Sequence, residues 1–191
     1  MTAPTPAQLA DLHARALAEA QRQVDAVTAD DLARSTPCHG WDVRALINHM
    51  VSGNYWAAAL LTDTPQPDRS ADFLGADHRA AFRVSAAEID AAFHAPGALD
   101  RVVQSHFGEL PGVLLAGRRF TEMLVHGWDE GRAIGHPADL DEELCEIALR
   151  MSRQTLGGAP RREGGPFAAE QEADPDAPAA DRLAAFLGRA V

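Results

Sequence analysis

Glu122 and His126 stand four residues apart in the run Glu122-Met-Leu-Val-His126. On a helix that spacing stacks two side chains one turn apart on the same face. A carboxylate oxygen and an imidazole nitrogen can then aim at one point. Asp129, three residues further on, falls on the same stripe, while Phe120, Leu124 and Val125 cover other faces. A carboxylate and an imidazole suit zinc, nickel, manganese or iron. One helix supplies too few ligands for tight binding. His49, set among Leu46, Ile47, Met50 and Gly53, is the candidate third. If the two helices are neighbours, His49 faces Glu122 and His126, as in metal sites built from facing helices of a bundle. Three protein ligands leave at least one coordination position open, the pattern of a reactive site and not of a closed structural one.

Each of these residues also has a plainer reading. A histidine on an apolar face is most often a core residue with a hydrogen-bond partner, and Glu122 with His126 is also what an ordinary i,i+4 pair looks like. Three buried polar groups without a metal are costly to hold dry, but spacing alone leaves both readings open. Asp129 can hold a ligand imidazole from behind or pair with Arg132, its i,i+3 neighbour. Trp41 and Trp128 read as packing anchors. Cys38 and His39 approach the mouth of the site, and a thiol beside a helix N-terminus can have a lowered pKa; Cys38 is nevertheless not taken as a nucleophile. His13, His78, His94, His106 and His136 have no convincing partners and are expected to be solvated.

The elements that must position these groups are helices. Leu9, Leu12, Ala16, Leu17, Ala20, Val24 and Val27 recur at three- and four-residue steps and predict a first helix over 6–28. Pro37 and Gly40 punctuate a loop at 35–41. Asp42 is placed as the N-cap of a second helix running to about Leu61. A third helix is expected over 75–94, marked by Ala80, Phe82, Val84, Ile89 and Phe93. The stretch 100–112 reads as an extended crossover with room for a small hairpin. A fourth helix runs from about Val113 to Ile134 and ends at Gly135. A fifth fits 140–155. Residues 157–180, rich in Gly, Pro, Ala and acid, read as loop or tail, and 181–189 as a closing helix packed through Leu183, Phe186 and Leu187. The expected fold is all-α: a four-helix bundle over 1–156 with a long crossover. A C-terminal extension, 157–191, packs on the same domain.

Composition narrows the function. The 191 residues fit one domain. The net charge of -11 comes from 28 acidic and 17 basic residues, every one of the latter arginine. That balance argues against a nucleic-acid partner, which calls for a cationic surface. Two cysteines, in no CxxC pair, make no disulfide framework and suit a reduced, cytoplasmic protein. The N-terminus lacks the basic and apolar regions of a signal peptide, and no apolar run approaches the ~20 residues that span a bilayer.

Two motifs carry a resemblance. Thr-Pro-Cys-His-Gly-Trp-Asp-Val-Arg-Ala-Leu-Ile-Asn-His-Met (36–50) and Val-His-Gly-Trp-Asp-Glu-Gly-Arg-Ala-Ile-Gly (125–135) resemble the actinobacterial metal-binding proteins related to mycothiol-dependent maleylpyruvate isomerase, in the DinB/YfiT-like superfamily. Phe-Gly-Glu-Leu-Pro-Gly (107–112) and the tail 176–189 look like the same group, so the likeness covers nearly the whole chain. It implies a DinB-like bundle whose metal is held by His49, Glu122 and His126. The isomerase branch also carries Glu at the position of Glu122. Where the family usually continues Trp-Asp-Leu, this chain has Trp128-Asp129-Glu130, a departure expected to matter little for the metal.

The resemblance further implies a divalent metal, zinc foremost, and a low-molecular-weight thiol such as mycothiol as cofactors. The expected activity is a thiol-dependent transferase or isomerase acting on a small electrophilic substrate; the alternative is a bundle that binds a metal or small ligand without turnover. Relatives often pair through helix faces, so a homodimer is expected.

Overall fold

The structure, a computed structural model, describes residues 4–105, 108–157, 161 and 167–191. His106 lies outside the described residues. Helix α1 (Pro6–Ala26) opens on a capping box: the Thr5 side chain accepts from the Gln8 amide, and the Gln8 side chain accepts from the Thr5 amide. Helix α2 (Val43–Thr62) starts where expected, because the Asp42 carboxylate accepts the Ala45 N–H at 2.8 Å. Helix α3 (His78–His94) begins three residues later than its apolar pattern suggests. Asp77 caps it there, accepting from the Ala80 N–H at 3.0 Å.

The crossover carries an antiparallel hairpin, β1 (Val102–Ser105) with β2 (Gly108–Pro111), in the register Val103 opposite Leu110. Helix α4 (Gly112–Ile134) follows at once and stops at Gly135, whose φ of 70° is the left-handed cap expected of it. Helix α5 (Glu142–Leu156) is capped by Asp141. The closing helix α6 (Ala179–Phe186) begins two residues before and ends three residues short of its expected span. Gly188 turns the chain at φ 95°, where an added Cβ would sit 2.7 Å from the Ala168 side chain; only glycine fits that turn.

Helix α1 packs on α3 and α4, and α2 packs on the same two, so the four form a closed ring around the core. Phe82, Ile89, Phe120, Met123, Leu124 and Trp128 fill it. Helix α5 lies on α4, and α6 on both α4 and α5. The indole N–H of Trp128 donates to Asp181 at 2.7 Å and ties α4 to α6. Among the described residues no helix is long and apolar enough to cross a membrane.

Some expectations fail. Val84 is 58% exposed, on the outer face of α3. His13 is not solvated: it is buried at 0% exposure, edge-on to Phe93 with ring centroids 4.6 Å apart. His78 reaches the Val27 carbonyl, His94 pairs with Asp11 and Asp90, and His136 meets Gln23. Val27, Asp11 and Gln23 come from another element, and no sequence spacing announces them; Asp90–His94 is an i,i+4 pair within α3 that spacing could have shown.

Candidate metal centre

Because α2 and α4 are neighbours, His49 and His126 meet across their interface. Their ring centroids lie 5.2 Å apart at an interplanar angle of 82°. With metal–nitrogen bonds of about 2.1 Å, two imidazoles at a tetrahedral angle have centroids roughly 5 Å apart, so the spacing fits a shared ion. Glu122 is one turn before His126, on the same face of α4. Trp41 packs against His49, centroids 4.6 Å apart, and closes one side. The loop that carries Trp41 is held by Thr36, whose hydroxyl donates to the Trp41 carbonyl at 3.0 Å and accepts the Cys38 N–H at 3.1 Å.

Arg119, i−3 to Glu122, forms an ion pair with it. It also donates to the Met50 carbonyl at 3.1 Å and to the Asn54 Oδ1 at 2.7 Å. Gly53 makes room for this guanidinium between α2 and α4, since a Cβ there would collide with it. Burial pushes the Glu122 carboxyl up, but Arg119, with His49, His126 and Arg69, outweighs it and holds the group below its usual range. Burial pushes the Arg119 guanidinium down.

Asp129 is fully buried and accepts four bonds. His126 Nδ1 lies 3.1 Å from its Oδ2, the Cys38 thiol donates to the same oxygen at 3.1 Å, and Arg189 bonds both oxygens, at 3.2 and 2.9 Å. Burial pushes its carboxyl up; the bonds from His126 and Arg189 outweigh it and hold it below the usual range. An ionised carboxylate only accepts, so His126 Nδ1 donates to Asp129, and the neutral tautomer that makes this bond carries its lone pair on Nε2. Asp129 therefore bonds His126 and does not pair with Arg132, which lies over the Trp128 ring instead.

Cys38, His126 and Asp129 bring ligand atoms within 4.8 Å of one another and form a triad able to hold a metal. Arg189 already supplies the positive charge there, 3.3 Å from Cys38 Sγ and 2.9 Å from Asp129. Burial first, then the Asp129 charge, pushes the Cys38 thiol up to about 12. It is a protonated donor in this arrangement and not a nucleophile.

His49 is pushed down to about 3, first by burial and then by the neighbouring His126, so it is neutral. Its Nδ1 lies 3.3 Å from Arg69 Nη2. Arginine only donates, so the His49 lone pair on Nδ1 faces Arg69, and a metal held through that nitrogen would have to displace the contact. A carboxylate and two imidazoles are donors that suit a divalent ion, but among the described residues the three ligand atoms that lie within 4.8 Å of one another are those of Cys38, His126 and Asp129, not those of His49, Glu122 and His126.

A family model described as the mycothiol maleylpyruvate isomerase N-terminal domain matches residues 7–129. The chain belongs to this family. The matched stretch contains His49, Glu122, His126 and Asp129 and ends before Glu130 and Arg189. Two uncharacterized proteins from two strains of Mycobacterium tuberculosis are each 41% identical over 169 residues, covering 86% of this chain and 88% of theirs. The crystal structure of the mycothiol-dependent maleylpyruvate isomerase superposes with a TM-score of 0.66 at 18% identity, over 82% of this chain and 72% of that one. A histidine-to-alanine mutant of it gives 0.65 at 20%. The fold is thus the DinB-like fold of that isomerase.

Arg69, Arg119 and Arg189 are absent from the candidates that spacing suggests. Arg119 is readable, since Arg119, Glu122, His126 and Asp129 make one stripe at 3-4-3 spacing. Arg189, 60 residues beyond Asp129, leaves no such signal.

Proposed function

We propose that His49, Glu122 and His126 hold one divalent metal ion, zinc foremost. The open side of that centre serves a thiol-dependent transferase or isomerase acting on a small electrophile, with a low-molecular-weight thiol of the mycothiol type. The observation that carries this reading is the Asp129–His126 bond at 3.1 Å, set beside the His49 ring 5.2 Å away. A carboxylate behind a histidine fixes its tautomer and raises its basicity as a ligand. A bound divalent ion would supply Lewis acidity, lowering the pKa of a coordinated thiol or water and polarising a carbonyl.

The chain's own residues do the positioning. Arg119 orients Glu122, Asp129 orients His126, and Trp41 shields the His49 face from water. The mycothiol dependence of the structurally similar isomerase supports the thiol; the residues here support the metal.

Metal content of protein purified without an affinity tag tests the first part. About one equivalent is expected, with a loss of at least tenfold in affinity for His49→Ala and for Glu122→Gln. A His49→Ala protein that binds as much metal as the parent overturns the ligand assignment. Consumption of electrophiles that depends on thiol and stops with chelator supports the enzyme. A metal-loaded protein inactive across a broad thiol and electrophile panel is instead a binding module.

A further inference from the structure

Outside the centre proposed above, His126 Nδ1 belongs to a second cluster, with the Cys38 thiol and the Asp129 carboxylate. Cys38 Sγ lies 3.1 Å from Asp129 Oδ2 and 3.9 Å from His126 Nδ1, and Nδ1 lies 3.1 Å from Oδ2. A tetrahedral ion bonds sulfur at about 2.3 Å and nitrogen or oxygen at about 2.0–2.1 Å, which sets its donors about 3.3–3.6 Å apart. The triangle of Cys38, His126 and Asp129 is close to that size, so small adjustments would close it on an ion.

A cation already stands against this triangle. Arg189 Nη2 lies 2.9 Å from Asp129 Oδ2 and 3.3 Å from Cys38 Sγ. Asp129 and Arg189 are both buried, so the aspartate needs a counter-charge there. The two atoms that Arg189 touches are also the two donors that would be anionic towards a metal. Cys38 is only half-buried, in the 35–41 loop, which leaves an ion a path from solvent. Thiolate and imidazole select soft or borderline ions, whereas magnesium and calcium prefer oxygen alone.

We infer that Cys38, His126 and Asp129 form a second metal site, filled by a thiophilic divalent ion of the zinc or cadmium type that displaces Arg189. Binding releases the thiol proton to solvent, since a coordinating thiol is deprotonated outright. The ion also takes the lone pair on Nδ1, so the proton of that imidazole moves to Nε2. Neutral imidazole has a single lone pair. The two sites therefore compete for His126, and an ion beside Cys38 denies Nε2 to the centre with His49 and Glu122. Only this competition rests on the function proposed above; the site itself does not. Loss of the Arg189 contact also frees the end of the chain from Asp129 on α4.

The test titrates cadmium into the full chain, purified without an affinity tag, stripped with chelator and kept reduced by a phosphine. A thiolate ligand gives a sulfur-to-cadmium charge-transfer band in the ultraviolet; carboxylate and imidazole alone give none. The band is expected in the parent. It should vanish in Cys38→Ser and persist in Cys145→Ala, whose thiol is buried in the core. It should also persist in His49→Ala, so that failure of the proposed centre leaves this site standing. Arg189→Met should bind cadmium at least tenfold more tightly, because no resident cation has to leave; a merely structural arginine would weaken binding when removed. Where Arg189→Met does not fold, the two cysteine variants decide alone. Saturation without the band, a band that survives Cys38→Ser, or a folded Arg189→Met that binds no more tightly than the parent overturns the assignment. Cadmium bound without the band and lost in His49→Ala would keep the proposed centre and overturn this one. Two equivalents bound together with the band present would retain the site and overturn the competition for His126.

Discussion

Asp129 Oδ2 lies 3.1 Å from His126 Nδ1, one helical turn away on α4, and the same carboxylate is gripped by Arg189 from the last residues of the chain. The tail thus reaches the proposed metal centre through one buried carboxylate. Replacing Asp129 with Asn leaves Arg189 buried without its counter-charge. Breaking one partner of a buried pair costs about 3–5 kcal/mol, and loss of the carboxylate behind a ligand histidine weakens metal binding about 10–100-fold. The two effects separate in the double variant Asp129→Asn, Arg189→Met. Denaturant unfolding should show much of the stability returning, while metal titration should show the affinity still reduced. Recovery of both together would mean that Asp129 acts only through the fold.

Gly53 and Arg119 share one space between α2 and α4. Gly53→Ala drives the guanidinium away from Met50, Asn54 and Glu122 at once. Overpacking of this kind costs about 1–3 kcal/mol. The displaced Arg119 also releases Glu122, so metal affinity should change along with stability. Arg119→Met in the alanine background should relieve the clash and recover part of the melting temperature. A Gly53→Ala protein with parental stability would mean that the helices shift apart at little cost.

How far the sequence leads is clear from these residues. Asp42, Gly135 and the apolar steps of α1 follow local rules, so the helices are legible from capping and periodicity. Glu122 and His126 are legible as a half-site because one helix carries both. His49 needs the packing of α2 on α4, which only the family resemblance supplies. His13, Arg69 and Arg189 are illegible because their surroundings are assembled from distant segments. Glu130 reads in the sequence as a minor departure from a leucine, and its burial cannot be told from a helix that also carries exposed arginines.

Glu130 is fully buried, and both of its carboxyl oxygens lack a partner among the described residues. Burial, with the neighbouring Asp129 charge, pushes its pKa well above the ordinary value. The folded protein therefore keeps this proton where the unfolded chain has lost it. Stability falls as pH rises from the unfolded pKa of ~4.3, until the folded group itself ionises. Glu130→Leu removes both the unsatisfied carboxyl and this slope. It should be more stable than the parent by about 1–3 kcal/mol near pH 5, and the advantage should widen towards pH 8. An advantage independent of pH would show that Glu130 ionises at its ordinary value.

His13 has the opposite sign. Burial, then the charges of Arg119 and His94, pushes its pKa well below the ordinary value, and both ring nitrogens lack partners among the described residues. The unfolded chain takes up a proton below pH ~6.5 and the folded protein does not, so this group removes stability as pH falls. One proton corresponds to about 1.4 kcal/mol per pH unit, or about 2 kcal/mol between pH 6.5 and 5. Over that interval Glu130 contributes a slope of similar size and opposite direction, so the two offset each other in the parent. The single variants should expose them. His13→Leu should become less stable from pH 5 to 6.5 relative to the parent, and Glu130→Leu more stable. The double variant should run parallel to the parent over the same interval. Urea unfolding at three or four pH values reads all four proteins, and a His13→Leu profile parallel to the parent would place a proton on His13 in the folded state.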